Sequence, residues 1–215
     1  GIELLNADGT FIGPLGTGFP GNLISGNDGD GILLSAGTRN TTIQGNIIGP
    51  NFALTGTLTN FGSGIRIDAG AHNNFIGGND ASFRGLAARP DDNIIAGNNY
   101  GGVLIAGATT TSNTVGGNQI GYFDNMGTIV ALGNPSDGVR FDVTGMGNRV
   151  IGAAFAHNVN GIYLNGHPFS HQQNTTVRNS SVYSSVEHGI VLSGTIGSLI
   201  EGVALEGNGR DGLSE

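Results

Sequence analysis

The chain contains no cysteine, no tryptophan and no lysine, and only 11% of its 215 residues are charged. Without cysteine it builds no disulfide framework, although that absence carries no information about the redox compartment. Its 8 basic residues, all arginine, stand against 16 Asp and Glu, a formal net charge of −8 at pH 7. Long-range repulsion at that charge argues against nucleic acid and anionic membrane surfaces as partners. No apolar run approaches the roughly 18 to 20 residues that a spanning helix needs, and no basic segment followed by an apolar one stands at Gly1 as an export signal would. Because the sequence starts at Gly1 and stops at Glu215 inside a repeat, it reads as a segment of a larger exported protein with its targeting signal elsewhere.

What the sequence has in abundance is glycine and asparagine, 41 and 24 residues respectively. Both tolerate left-handed backbone, so the chain must turn very often. Disorder would need low hydrophobicity with high net charge. Here 37% of residues are hydrophobic, and Ile, Leu and Val recur in short clusters along the whole length. The expectation is a folded chain, one continuous domain over 1–215.

One anchor recurs: Gly, then Ile, Val or Leu, then any residue, then an apolar one. It stands at Gly1, Gly31, Gly64, Gly102, Gly138, Gly161 and Gly189, and Gly212-Leu213 begins an eighth copy. The shortest spacing is 23 residues and the longest 38, so some coils carry insertions. Between anchors lie other short apolar segments, most led by asparagine: Asn22 to Asn27, Asn93 to Asn98, Asn40 to Ile43, Asn113 to Val115 and Asn148 to Val150. Strands of three to five residues broken by Gly and Asn turns leave no room for ordinary helices, and only Ala81 to Arg89, before Pro90, could hold a short one. The expected fold is all-β, a right-handed parallel β-helix of about eight coils with inserted corner loops. Parallel strands about 4.8 Å apart give a rod roughly 35 to 40 Å long. Repeated asparagines at the corners are expected to stack as ladders along the axis.

A longer period overlies the short one. Positions 22, 31, 49, 64 and 76 match 93, 102, 121, 138 and 150, which marks a duplicated two-coil unit within about 1–150, with shorter coils over 138–215. Matching insertions, Pro50 to Ser63 and Tyr122 to Asp137, are expected to leave the rod at the same corner.

These repeats resemble those of right-handed parallel β-helix proteins of the pectate-lyase-like superfamily, particularly large bacterial secreted or surface proteins with N-x-I-x-G-N…G-I-x-I…N-x-I-G-G patterns. The resemblance covers essentially the whole chain. It implies the fold, and an extracellular or cell-surface location. It does not imply one activity, because lyases, hydrolases, epimerases, adhesins and phage tail proteins share the fold. The Gly-His-Gly and Asp-Pro-His-Glu motifs of polygalacturonase-like and mannuronan-epimerase-like relatives are missing, so no catalytic residue carries over. Some lyases use Arg as base, which keeps Arg66 and Arg140 in view.

Candidate residues follow from strand alternation, which points the two x positions of Gly-Ile-x-Ile-x outward. Arg66 with Asp68, and Arg140 with Asp142, are the repeated charged pairs of that face. By rung count the two Asp lie about 9 to 10 Å apart, near the upper limit for an inverting glycosidase pair. The competing reading makes both pairs surface salt bridges inherited through duplication. Tyr163, Asn165, His167 and His171 form an unrepeated cluster suited to sugar, against which stands a plain solvated loop. His167 and His171 have i, i+4 spacing without a third ligand, so no metal is expected. Asn27-Asp28-Gly29-Asp30-Gly31 imitates a calcium turn, but its counterpart at Asn98 to Gly102 has no carboxylate, so calcium is unsupported and no cofactor is implied. Gly16 to Gly21 matches a dinucleotide pattern, which Pro20 and the lack of a following helix rule out. Two functions stand. The first is a structural or binding module presented to polysaccharide or cell-surface glycans, with open end rungs that invite end-to-end pairing of chains. The second is a polysaccharide lyase or glycoside hydrolase working in a groove on this face.

Overall fold

The computed structural model describes residues 1–14, 21–78, 89–125, 127–166 and 174–215. The anchors form one eight-stranded parallel sheet, here the anchor sheet: Ile2–Leu5, Ile32–Ser35, Ile65–Ile67, Val103–Ala106, Val139–Asp142, Ile162–Asn165, Ile190–Ser193 and Leu213–Ser214. The chain then passes to a second sheet of seven strands: Phe11–Ile12, Thr42–Ile43, Phe75–Ile76, Thr114–Gly116, Arg149–Ile151, Thr176–Arg178 and Leu199–Glu201. A third sheet of seven closes each coil: Leu23–Ile24, Ile47–Ile48, Ile94–Ile95, Gln119–Ile120, Ala154–Ala156, Ser181–Tyr183 and Ala204–Glu206. Repeated visits to the three sheets in this order make a right-handed parallel β-helix. The described residues contain no helix, and the short helix expected at Ala81 to Arg89 lies, up to residue 88, outside them.

Side-chain alternation puts each rung's apolar residues inside. In the anchor sheet Ile2, Ile32, Ile65, Val103, Val139, Ile162 and Ile190 stack in register. They belong to one continuous core with Ile43, Ile76, Val115 and Val150 from the second sheet and Ile48, Ile95, Ile120 and Phe155 from the third. β-Branched residues dominate because a pleated strand tolerates their stiff χ1 and stacks them against identical neighbours. The anchor glycine has a steric cause: a Cβ at Gly138 would lie 2.6 Å from the Gly161 carbonyl oxygen and 2.8 Å from the Phe155 ring.

Asparagine ladders hold the three corners. At the corner entering the third sheet, Asn22 donates to Asn46 (2.9 Å), Asn46 to Asn93 (3.0 Å) and Asn93 to Asn118 (2.9 Å). At the corner leaving it, the amides of Asn27, Asn60, Asn98, Asn134 and Asn158 pass hydrogen bonds in turn, at 2.7 to 3.3 Å. At the corner entering the second sheet, Asn74 donates to Asn113 (3.0 Å) and Asn113 to Asn148 (3.1 Å). Each amide from Asn46, Asn60 and Asn74 onward in its ladder also donates to a backbone carbonyl, so buried corners leave few orphaned acceptors. Asn40 is one residue out of step with Asn113 and Asn148. Thr41 holds the ladder position there, while Asn40 takes a left-handed turn (φ 55°) and donates to Asp8.

The two insertions do leave at one corner. Leu58 N–H closes the first onto the Gly49 carbonyl (2.7 Å), and Leu132 N–H closes the second onto that of Gly121 (3.1 Å). The second is an antiparallel hairpin, Tyr122–Asn125 with Thr128–Ala131. It folds back so that the buried Tyr122 ring covers Ala154 and Ala156 on the outside of the third sheet.

Candidate functional site

The outer face of the anchor sheet carries the columns that alternation dictates. Glu3, Leu33, Arg66, Leu104, Arg140, Tyr163 and Val191 are paired rung to rung. Beside them run Leu5 with Ser35, and Ala106 with Asp142, Asn165 and Ser193. The rung of Leu104 and Ala106 divides the polar residues into two groups. In the first, Arg66 Nε lies 2.8 Å from Asp68 Oδ2, and the Ser35 hydroxyl donates to Asp68 Oδ1 at 2.6 Å.

The second group joins residues that the sequence presented as separate candidates. Arg140 and Tyr163 are neighbours in one column, with the guanidinium 4.6 Å above the ring centroid. Asp142 and Asn165 are neighbours in the next, and the Asn165 amide donates to Asp142 Oδ1 at 2.6 Å. The face of Tyr163 is thus engaged by a cation, an attraction that also fixes the guanidinium plane. His167 and His171 lie outside the described residues.

Asp137 belongs to this group and was not legible as a candidate. It occupies the turn position before an anchor glycine, which Asp30, Ser63, Gly101, Asn160, His188 and Asp211 fill in other coils. Its side chain is 6% exposed and lies 3.4 Å from Arg140, whose other nitrogen is 3.9 Å from Asp142. Burial pushes the Asp137 carboxyl above the ordinary carboxylate range, against the opposing hydrogen bond from Asn160 (2.8 Å) and the charge of Arg140, with Glu187 adding to the rise. One guanidinium therefore bridges two carboxylates in different settings, one buried and one 40% exposed. Beyond Asn160, His188 donates its backbone N–H to the Asn160 side chain (3.1 Å), and its Nδ1 lies 3.5 Å from Asp211.

The turn that follows Asp142 is costly. Val143 has φ 51°, a left-handed conformation rare for a β-branched residue, and the same column elsewhere holds Asn6, Ala36, Ala69, Gly107 and Gly194. Next to it the buried Thr144 hydroxyl has no hydrogen-bond partner among the described residues. No three His, Asp or Glu side chains converge as a metal site among the described residues. In the turn that imitates a calcium loop, Asp30 instead accepts the Ser63 N–H at 2.7 Å.

Over its whole length the chain matches the A-module of a mannuronan C-5 epimerase from Azotobacter vinelandii, with a TM-score of 0.61 and 17% identity. It spans 54% of that chain. At this identity the likeness is one of fold. No protein-family model matches the chain, and no curated protein matches it.

Proposed function

We propose that the chain is a glycan-binding β-helix module of an exported protein, and that it holds polysaccharide on the outer face of the anchor sheet at Arg140, Asp142, Tyr163 and Asn165. The observation that carries this reading is the register of two adjacent rungs, which sets Arg140 over Tyr163 and Asp142 against Asn165. Carboxylate and amide oxygens accept from sugar hydroxyls while guanidinium and amide N–H groups donate to them, the few placed polar groups that orient a ligand on a preformed surface. A fold neighbour that is a module of a polysaccharide-modifying enzyme supports a glycan as ligand and a location outside the cell. A glycan array probed with the wild type and with Arg140→Gln tests it. Binding that disappears in the variant is the expected result, and identical profiles for the two proteins would refute it.

A second reading, turnover, is favoured by Asp137. A buried carboxyl with a raised pKa beside an exposed carboxylate is the environment split that separates general acid from general base. In hydrolysis the two carboxyls would divide the work of acid at the glycosidic oxygen, as the C1–O bond breaks, and base toward the water whose oxygen bonds to C1. Reducing-end and unsaturated-product assays on the glycans that bind separate the readings. Product formation lost in Asp137→Asn supports the enzyme, and binding without product supports the module.

A further inference from the structure

Both arginines of the anchor face are already ion-paired, Arg66 with Asp68 and Arg140 with Asp137 and Asp142. The chain has no lysine, its net charge is −8, and Glu3 adds a further carboxylate to the same column. Among the described residues this face therefore offers an acidic ligand no uncompensated cation. An acidic polymer would meet net repulsion along its whole length. An uncharged glycan meets the opposite situation, because a fixed carboxylate beside a fixed guanidinium places acceptors and donors where neighbouring hydroxyls need both.

Spacing adds a second constraint. Arg66, Leu104 and Arg140 are successive members of one column. The two ion-paired units thus stand two rungs apart, about 10 Å along the axis, with the flat Leu104 and Ala106 rung between them. A pyranose unit in an extended chain is about as long as one rung, so a chain laid along the axis brings alternate sugars to the two units and rests the middle sugar on the apolar rung.

We infer that the anchor face recognises an uncharged, extended polysaccharide running along the rod, gripped at alternate sugars by the Arg66–Asp68 and Arg140–Asp142 units. This rests on the glycan-binding reading above and names its ligand class and register. Ligand longer than two sugars gains the second unit as an intramolecular contact, so affinity steps upward with length rather than rising smoothly.

The test is calorimetric titration of the whole chain with cello-, xylo- and manno-oligosaccharides of two to six sugars, and with oligogalacturonates and oligomannuronates of the same lengths, each with and without calcium. Arg66→Gln and Arg140→Gln keep a hydrogen-bonding group of similar size, their folding is verified by circular dichroism, and Arg178→Gln on the second sheet is the control. At least one neutral series should bind about tenfold more tightly at four sugars than at two. Arg66→Gln should remove that step and leave disaccharide affinity intact, and affinity should change less than about twofold between about 50 and 500 mM salt. Oligouronates that bind as tightly as the neutral series, with or without calcium, would overturn the inference. So would neutral binding with no step in length, or a step that survives Arg66→Gln, while Arg140-dependent binding would still uphold the glycan reading. Absence of Arg140-dependent binding to every series would overturn both.

Discussion

Replacing Asn113 by alanine removes the centre of one ladder while leaving the apolar core untouched. The side chain is fully buried. Its oxygen accepts from the Asn74 backbone N–H (3.1 Å) and the Asn74 amide (3.0 Å), and its nitrogen donates to the Ala71 carbonyl (3.0 Å) and to Asn148 (3.1 Å). Two of the four partners keep another bond, since the Asn74 amide still reaches Thr38 and the Asn148 oxygen still accepts the residue-113 N–H. The Asn74 N–H and the Ala71 carbonyl are left unpaired inside the corner. At about 1 to 3 kcal/mol for each orphaned group, the expected loss is about 2 to 6 kcal/mol. A chain of this size loses about 2 to 4 °C of Tm per kcal/mol, so Asn113→Ala should melt at least about 4 °C below the wild type. Urea unfolding followed by circular dichroism measures this, with the exposed hairpin variant Asn125→Ala as a control expected within about 0.5 kcal/mol of the wild type. The double variant Asn113→Ala/Asn148→Ala should cost less than the sum of its parts, because both single changes break the same bond. A loss below about 1 kcal/mol for Asn113→Ala would mean that the ladders are a consequence of stacked rungs and not a support for them.

Three further outcomes follow from the same geometry. Asp137 has a folded pKa above its unfolded value of 3.8, so its penalty on folding is absent below that value and grows as pH rises through the folded pKa. Asp137→Asn should therefore match the wild type in thermal melts at about pH 3 and exceed it at about pH 7, and a variant less stable at neutral pH would contradict this. Val143→Gly relieves a β-branched residue at φ 51° and should raise Tm by about 2 to 4 °C, whereas a lower Tm would show that the left-handed turn carries no strain. Hydrogen exchange should protect strand amides of 93–151 more than those of 176–206. The ladder corners of the later coils hold Ala153, Ser180 and Ser185 in place of amides, and equal protection in the two regions would refute the link.

Much of the rod was legible because a period-two strand between glycine turns leaves a side chain only two directions. The anchors and both outward columns follow from that alone, and the ladders follow from the surplus of asparagine. Contacts around corners were not legible. Asp137 stands at a turn position that other coils fill with Asp, Ser, Gly, Asn or His, and only its distance to Arg140 in space separates it from a turn aspartate such as Asp30. Asn40 illustrates the opposite failure. Leading its segment as Asn113 and Asn148 lead theirs, it looked like a ladder residue until backbone bonding placed Thr41 there. Arg140 and Tyr163, like Asp142 and Asn165, are consecutive members of the outward columns, 23 residues or one turn of the solenoid apart, so their adjacency was legible, whereas the contact of Arg140 with Asp137 was not.

The two Arg-x-Asp units stand at matching places in the repeat, and comparing what flanks them bears on which is suited to a task. Both units keep the ion pair, so the pair alone does not distinguish them. At the equivalent flanking positions the first unit has Ser63, Ala69 and Gly70, of which Ala69 shares the left-handed turn (φ 45°) but without a branched Cβ. The second has Asp137, Val143 and Thr144: a buried carboxyl with a raised pKa, a β-branched residue in a left-handed turn, and a buried hydroxyl without a partner among the described residues. Three locally unfavourable choices within one coil oppose the consistency that the rest of the solenoid maintains, and such concentrations are found where a surface is held for function rather than for stability. On the proposed reading the first unit is an added grip and the second the centre, which is why the length step should vanish with Arg66 while binding itself should vanish with Arg140.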